Sequence, residues 1–477
     1  MAILIDQKPL YKTLPVGQDI VFSVSDSTIV ANNFNVKFVA EVYVSNSTSS
    51  LNTLNRIAVL KTTPNNAGVG IFSMQPVLES FVKPDNIGTD LGNGSKYKTV
   101  SYSDTTPHPI HLIDQYALAE NAIKYFMIEF SLEFSPTIDG VVTIDQTNKI
   151  SSDVYLFYNG YLNYDDVLNQ TGNDYGYNLS SFNKVMNSDS GKFLSNAPIT
   201  QFARISDYGT LSFFNFLSTS DYSFQVGSGT ATDKRVKKIQ IKLYNSSNTL
   251  LSTQDVVATI SNGSYTVANN FSYTRINYFG VFPANLSGWS TPFALNKANI
   301  SYYTIQALDD DDENISQLYR INIITDDCKG FEGIRLTWLN PYGVWDYYTF
   351  TKKSVRSLQT NRTSYTQLGG TWNESTYKIN GFSGGKKNFR VNSKELITVN
   401  TDYLVDADAI WFEDLINSPE VYILNGFSSD SNGMVNKYVE PVTVTTSSYT
   451  RKTKANDKLI QYTFELEKSK NKRIQSA

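Results

Sequence analysis

The sequence predicts an all-β, multidomain chain: consecutive antiparallel β-sandwich domains of immunoglobulin or fibronectin type, with long loops and one short helix near 406–418. Three observations predict it. Short β-prone runs recur along the chain, separated by turns of Asn, Gly and Ser. Several of these runs alternate apolar and polar residues, the period of a strand with one buried face. The composition is rich in Tyr (31) and Phe (27) and low in charge, at 18%. That balance suits packed aromatic strands and large permanent interfaces. At 477 residues the chain has room for roughly two to four domains.

Residues 1–165 read as an N-terminal sandwich. Two short β-like runs surround Leu14-Pro15-Val16-Gly17. From 33 to 44, Phe34, Val36, Phe38, Ala40, Val42 and Val44 share one face, and Asn35, Lys37, Glu41 and Tyr43 the other. Runs near 56–61 and 69–74 follow, then a helical turn over 75–81, ended by Pro84. Residues 85–120 have little periodicity and many turn formers, so they are expected to be a loop excursion from the sandwich that makes contacts or stays disordered. The strongest strand comes next. Phe126, Ile128, Phe130, Leu132 and Phe134 lie on one side, and Glu129, Ser131 and Glu133 on the other. The run 154–162 reads as the closing strand.

Residues 166–197 are expected to be a connecting loop lying on a neighbour, because aromatics this frequent are costly to leave wet. A middle β domain spans 198–330, with strands near 202–205, 211–217, 236–244, 254–260, 263–267, 270–281, 300–308 and 317–324. In the run 236–244 the apolar side is Ile239, Ile241 and Leu243.

The C-terminal β domain, 331–470, opens on a hairpin. Ile334, Leu336 and Trp338 point one way and Arg335 and Thr337 the other. Asn340-Pro341-Tyr342-Gly343 turns the chain, Pro presetting φ and Gly accepting φ > 0. The next strand is expected to continue through Phe350 to Leu358. Residues 365–382, with Trp372, are turn-rich, and 396–404 is β-like. The helix 406–418 has Asp406 or Asp408 as cap and Pro419 as stop. Short and long strands follow at 421–424, 439–453 and 458–467. The basic tail, 471–477, reads as a mobile end.

None of the chemistry-bearing residues assembles into a recognisable site. His108 and His111 stand in His-Pro-Ile-His and could share a metal only with ligands from elsewhere. Asp309 to Glu313 are five consecutive acids, without the spacing of an EF-hand. They read as a solvated hairpin tip whose charge resists edge pairing. Lys234, Arg235, Lys237, Lys238 and Lys242 read as a solvated basic face, and Lys352, Lys353 and Arg356 as a second basic patch. Gly384-Gly385-Lys386-Lys387 lacks P-loop spacing. Glu413 and Asp414, consecutive on a helix, diverge by about 100° and are no glycosidase pair. Cys328, the single cysteine, reads as a small buried apolar residue. No catalytic, cofactor-binding or metal-ligating residue is therefore assigned, and no enzyme activity is expected.

A net charge of −4 argues against general nucleic-acid binding. No run has the length of a membrane span. The N-terminus lacks the plan of a signal peptide, so synthesis in a cytoplasm is expected.

One resemblance is specific enough to state. The run Gly333-Ile334-Arg335-Leu336-Thr337-Trp338-Leu339-Asn340-Pro341-Tyr342-Gly343, then Asp346-Tyr347-Tyr348-Thr349-Phe350, carries it. It is joined by the Asp408–Leu415 helix, Pro419-Glu420-Val421-Tyr422 and Ala455-Asn456-Asp457-Lys458-Leu459. Over about 330–470 the chain resembles a structural protein of tailed phages of Bacteroidales, the crAss-like podoviruses. The stretch Asn196-Ala197-Pro198 fits the same family. The resemblance implies a virion component of the tail or head–tail connector. It would form a six- or twelve-fold homo-oligomeric ring, touching neighbouring tail, portal or collar proteins. It implies no catalytic residues. A receptor- or carbohydrate-binding tail module is the alternative, since Trp and Tyr platforms suit sugar stacking. A capsule-degrading glycosidase would need a converged carboxylate pair.

Overall fold

The computed structural model describes residues 3–51, 53–90, 107–113, 116–118, 121–145, 147–164, 179, 184–186, 188–215, 236–257, 259–260, 265–266, 275–309, 311–324, 330–404, 406–425, 439–446, 460–470 and 472–476. Strands dominate, arranged in several separate sheets with few helices, as the all-β prediction requires. Two compact units emerge. The first takes the chain to Ile324 and the turn Leu339–Asp346; the second takes Thr325–Trp338, Tyr347–Phe427 and Asn436–Ala477.

The first unit opens with a sandwich. Val21–Ser25 pairs with Leu4–Gln7 and Val69–Ser73. The facing sheet runs in the order Thr13–Pro15, Tyr155–Tyr158, Ile123–Ser135, Phe34–Ser45, Arg56–Thr62. Phe22, Phe38, Phe72, Phe126, Phe130 and Tyr155 fill the space between. The predicted alternation is visible in the register: Phe126 opposes Val44, Ile128 opposes Val42, Phe130 opposes Ala40 and Leu132 opposes Phe38. All eight are buried. Phe34 departs from its expected face and is exposed. Asn35 beside it takes φ +54, which breaks the strand's alternation at its start. On the opposite face, Glu41, Glu129 and Glu133 pair with Arg56, Lys149, Lys37 and Lys61.

The excursion 85–120 needs correction. Its described parts include the strands Ile87–Asp90, Pro107–Pro109 and Tyr116–Leu118. These join one sheet with Arg275–Gly280 and Thr210–Asn215. Tyr116 and Ala117 are both buried, so no polar alternation was there to be read. Strands from the expected first and middle domains therefore share one sheet. The stretch 91–106 lies outside the described residues.

The loop 166–197 also differs from expectation where it is described. Phe193 packs against Phe213 and Tyr319 of its own chain, with centroids 6.1 and 4.9 Å apart. The sheet that follows is centred on Lys238–Tyr244, between Leu250–Val257 and Tyr302–Leu308. Ile239, Ile241 and Leu243 are its buried face, as predicted. Two helices, Pro283–Trp289 and Thr291–Asn296, were not anticipated; each carries Pro in its first turn. Ser290 caps the second, its Oγ accepting from the Phe293 amide.

The largest sheet orders as Trp345–Phe350, Ile334–Leu339, Val421–Leu424, Val439–Val444, Thr463–Lys468, Gly385–Asn400, Val355–Gln367. The helix Asp406–Asn417 packs Trp411 and Phe412 on Trp338 and Phe464. Ile334, Leu336 and Trp338 are buried as expected, but so are Arg335 and Thr337. The strand is covered on both faces: the Arg335 Nη1 donates to Thr349 Oγ1 at 3.0 Å, and its guanidinium lies 5.4 Å from the Tyr347 ring centre.

Three further expectations change. The strand through Phe350 stops there, and a new one begins at Val355. The run expected over 439–453 is a strand over Val439–Val444 and has ended by 445; 447–453 lie outside the described residues. The basic tail is a strand, Lys472–Ser476, paired with Gly385–Asn400.

Candidate assembly surface

Several of the residues that carry chemistry by type have packing or ion-pair partners among the described residues. His111 is buried edge-on to Trp345, centroids 4.9 Å apart; the side chain of His108 lies outside the described residues. Among the described residues no group of three His, Cys, Asp or Glu side chains could hold a metal. In the acidic tip, Asp309 is buried and its Oδ1 accepts from the amides of Asp311 and Glu313. This is a turn-forming role. Asp312 pairs with Lys238 at 2.6 Å, and Asp255 pairs with the same lysine at 2.8 Å. Those carboxylates, Asp255 first, raise the Lys238 pKa. Lys234, Arg235 and Cys328 lie outside the described residues. Asp414 is buried and Glu413 half-buried. Among the described residues no helix is long and apolar enough to cross a membrane.

What stands out is a long hairpin. Val355–Gln367 and Gly385–Asn400 pair antiparallel over their full length, from Val355 opposite Thr398 to Gln367 opposite Gly385. Every residue of Val355–Gln367 but the last is exposed. The partner strand becomes buried only at Ile397 and Val399, near its base. The face that is core at Ile397 is bare at Leu358, one pair further along. The hairpin is thus an arm that outruns the core of its own unit.

The base of the arm is anchored by charge. Arg356 donates to both carboxylate oxygens of Glu332, at 2.7 and 2.8 Å, and to Glu395 at 2.6 Å. Arg356 holds both glutamates below the ordinary carboxylate range, chiefly by these hydrogen bonds. Lys468 and Lys472 also approach Glu395, so one residue of the basic tail, Lys472, serves the same anchor.

The tip, residues 368–384, folds back on itself through a bridge between Gly370 and Ile379. Gly384 and Gly385 close it at φ +94 and +73, the left-handed region that favours glycine. The glycine–lysine run is therefore where the tip re-enters the second strand of the arm. Trp372, Ile379 and Phe382 are 83%, 81% and 80% exposed, with Leu368 and Tyr377 exposed beside them. These bare large apolar side chains make the tip the candidate surface.

Sequence reasoning missed the arm because its strands carry no apolar alternation to read. The signal present is composition: Thr, Val, Tyr and Phe of high β propensity on both sides of a glycine-rich break.

No family model and no curated protein matches this chain. Among solved structures it is similar to Salmonella alpha-2-macroglobulin reacted with methylamine, at 8% identity and a TM-score of 0.17, over 97% of this chain and 22% of that one. It is also similar to native E. coli alpha-2-macroglobulin, at 8% identity and a TM-score of 0.18, over 83% and 22%. The chain thus spans about a fifth of either protein, and at these scores the likeness carries no argument.

Proposed function

We propose that this chain is a non-enzymatic structural subunit of a phage virion. It assembles with copies of itself into a ring of the tail or head–tail connector and contributes to the genome conduit. Its partners are neighbouring copies and adjoining tail, portal or collar proteins. Synthesis is in the host cytoplasm and residence in the virion.

The observation that carries the reading is the arm. A free monomer gains nothing from a 13-residue edge strand with an apolar tip, and such an edge invites aggregation. A subunit destined for a permanent interface gains contact area from it. The arm also lies inside the stretch that bears the phage resemblance. Two measurements test the reading: mass spectrometry with immunogold labelling of purified particles, and light scattering on the purified full chain. Absence from particles, together with a monomer at all concentrations, would defeat it.

Trp372, the most exposed tryptophan side chain among the described residues, favours one second reading, a carbohydrate- or receptor-binding module. Glycan-array binding lost in Trp372→Ala would support it.

A further inference from the structure

Charge separates the arm from the first unit. The hairpin Val355–Asn400 carries seven basic residues and two acidic ones. One of those acids, Glu395, is engaged by Arg356 at the base. Toward the tip stand Arg362, Lys386, Lys387 and Arg390 beside the apolar side chains. Residues 1–324 carry 28 acidic residues against 21 basic ones. Asp19, Glu79, Asp139, Asp189 and Asp311 there are exposed.

We infer that the arm of one copy docks on the first unit of a second copy. The inference rests on the proposed ring-forming reading and names its contact. Charge decides between the two ways in which copies could meet. An isologous contact would lay arm on arm across a two-fold axis, bringing like charges together at an edge strand, which disfavours it. A heterologous contact lays a basic arm on an acidic body, where the charges attract and fix orientation. Heterologous contacts propagate, and close into a ring when the rotation per copy allows it. The apolar tip supplies the burial, and the basic stem selects the surface.

The test uses the full chain with Trp372→p-benzoylphenylalanine, mixed from unlabelled and nitrogen-15-labelled preparations so that crosslinks between copies are recognised by mass. Crosslinks between copies should fall within residues 1–324. Association should weaken about tenfold or more between low and high salt, because exposed charge pairs are screened. The triple variant Arg362→Glu, Lys386→Glu, Arg390→Glu should stay folded by circular dichroism and stay monomeric. Crosslinks within 355–400 of the other copy, or tighter association of the triple variant with the unmodified chain than of either alone, would show arm-to-arm contact and overturn the inference while leaving ring formation standing. Salt-insensitive assembly would overturn it likewise. Capture of a monomeric chain by phosphatidylglycerol vesicles or by single-stranded DNA would overturn both the inference and the reading on which it rests.

Discussion

The indole of Trp338 lies against that of Trp411, with ring centroids 5.2 Å apart and planes tilted by 41°. This contact ties the opening hairpin of the second unit to its helix, and Trp338 is fully buried. Trp338→Ala should cost about 3–5 kcal/mol, the range for deleting a large buried aromatic. Denaturant unfolding of the full chain, followed by tryptophan fluorescence, measures it. A loss below about 0.5 kcal/mol would mean that the core closes without this ring.

Gly343 takes φ +75, and a Cβ there would stand 1.7 Å from the carbonyl oxygen of Asn159. Backbone cannot yield as a side-chain end can, so Gly343→Ala combines left-handed strain of about 1–3 kcal/mol with a clash. Gly330 has nearly the same φ, +71, with nothing within 4 Å. Gly330→Ala should therefore cost only the strain. Melting temperatures of the two variants, measured together, separate the terms; equal losses would show that the close approach to Asn159 is relaxed at no cost.

Asp85 is fully buried, and burial pushes its carboxyl from 3.8 up to about 6. Its oxygens accept from the Asn121 amide at 2.8 Å and the Tyr278 hydroxyl at 3.3 Å. A raised carboxyl pKa means that the folded state binds the proton more tightly than the unfolded chain does. Ionisation then costs stability, so this group's contribution is best below about pH 4 and is lost as pH rises through about 6. The loss is on the order of 3 kcal/mol at most, at about 1.4 kcal/mol per pKa unit. Asp85→Asn keeps the acceptor for Asn121 and removes the charge. Its stability relative to the unmodified chain should rise between pH 4 and 7; a constant difference across that window would refute the assignment.

Alternation was legible wherever a strand has one wet face. The register of Phe126, Ile128, Phe130 and Leu132 against Phe38, Ala40, Val42 and Val44 follows from the period alone. So do the buried face of Ile239, Ile241 and Leu243 and the turn at Gly343. It was illegible at two extremes. Ile334–Leu339 is buried on both faces, so Arg335 looked solvent-facing while its charge is in fact held inside by Thr349 and Tyr347. Val355–Gln367 is exposed on both faces, so no apolar alternation marked it. The candidate surface sits at that second extreme. Its aromatic tip residues were readable as residues, and their exposure was not.

The acidic tip should not bind Ca²⁺ tightly. That ion needs six or more oxygens converging on one point, but Asp309 faces backbone amides and Asp312 is paired with Lys238. Calorimetric titration should show no micromolar site; one abolished by Asp311→Asn with Asp312→Asn would require the tip to rearrange.

The arm tip should be dispensable for folding and needed for association. The last paired residues of the hairpin are Gln367 and Gly385, so residues 368–384 can be replaced by Asn-Gly, which suits a two-residue hairpin turn. The deleted side chains Leu368, Trp372, Tyr377, Ile379 and Phe382 are exposed. The ion pair removed, Glu374 with Lys378, is internal to the tip. Stability of the shortened chain should therefore stay within about 0.5 kcal/mol, as for surface changes that break no named interaction. Light scattering should report a monomer where the full chain assembles. The opposite pair of results, lost stability with assembly intact, would mean that the tip packs on its own chain and that copies meet elsewhere. Stability and association are thus expected to separate here, whereas at Trp338 they should fall together, because losing the core of the second unit also loses the base from which the arm extends.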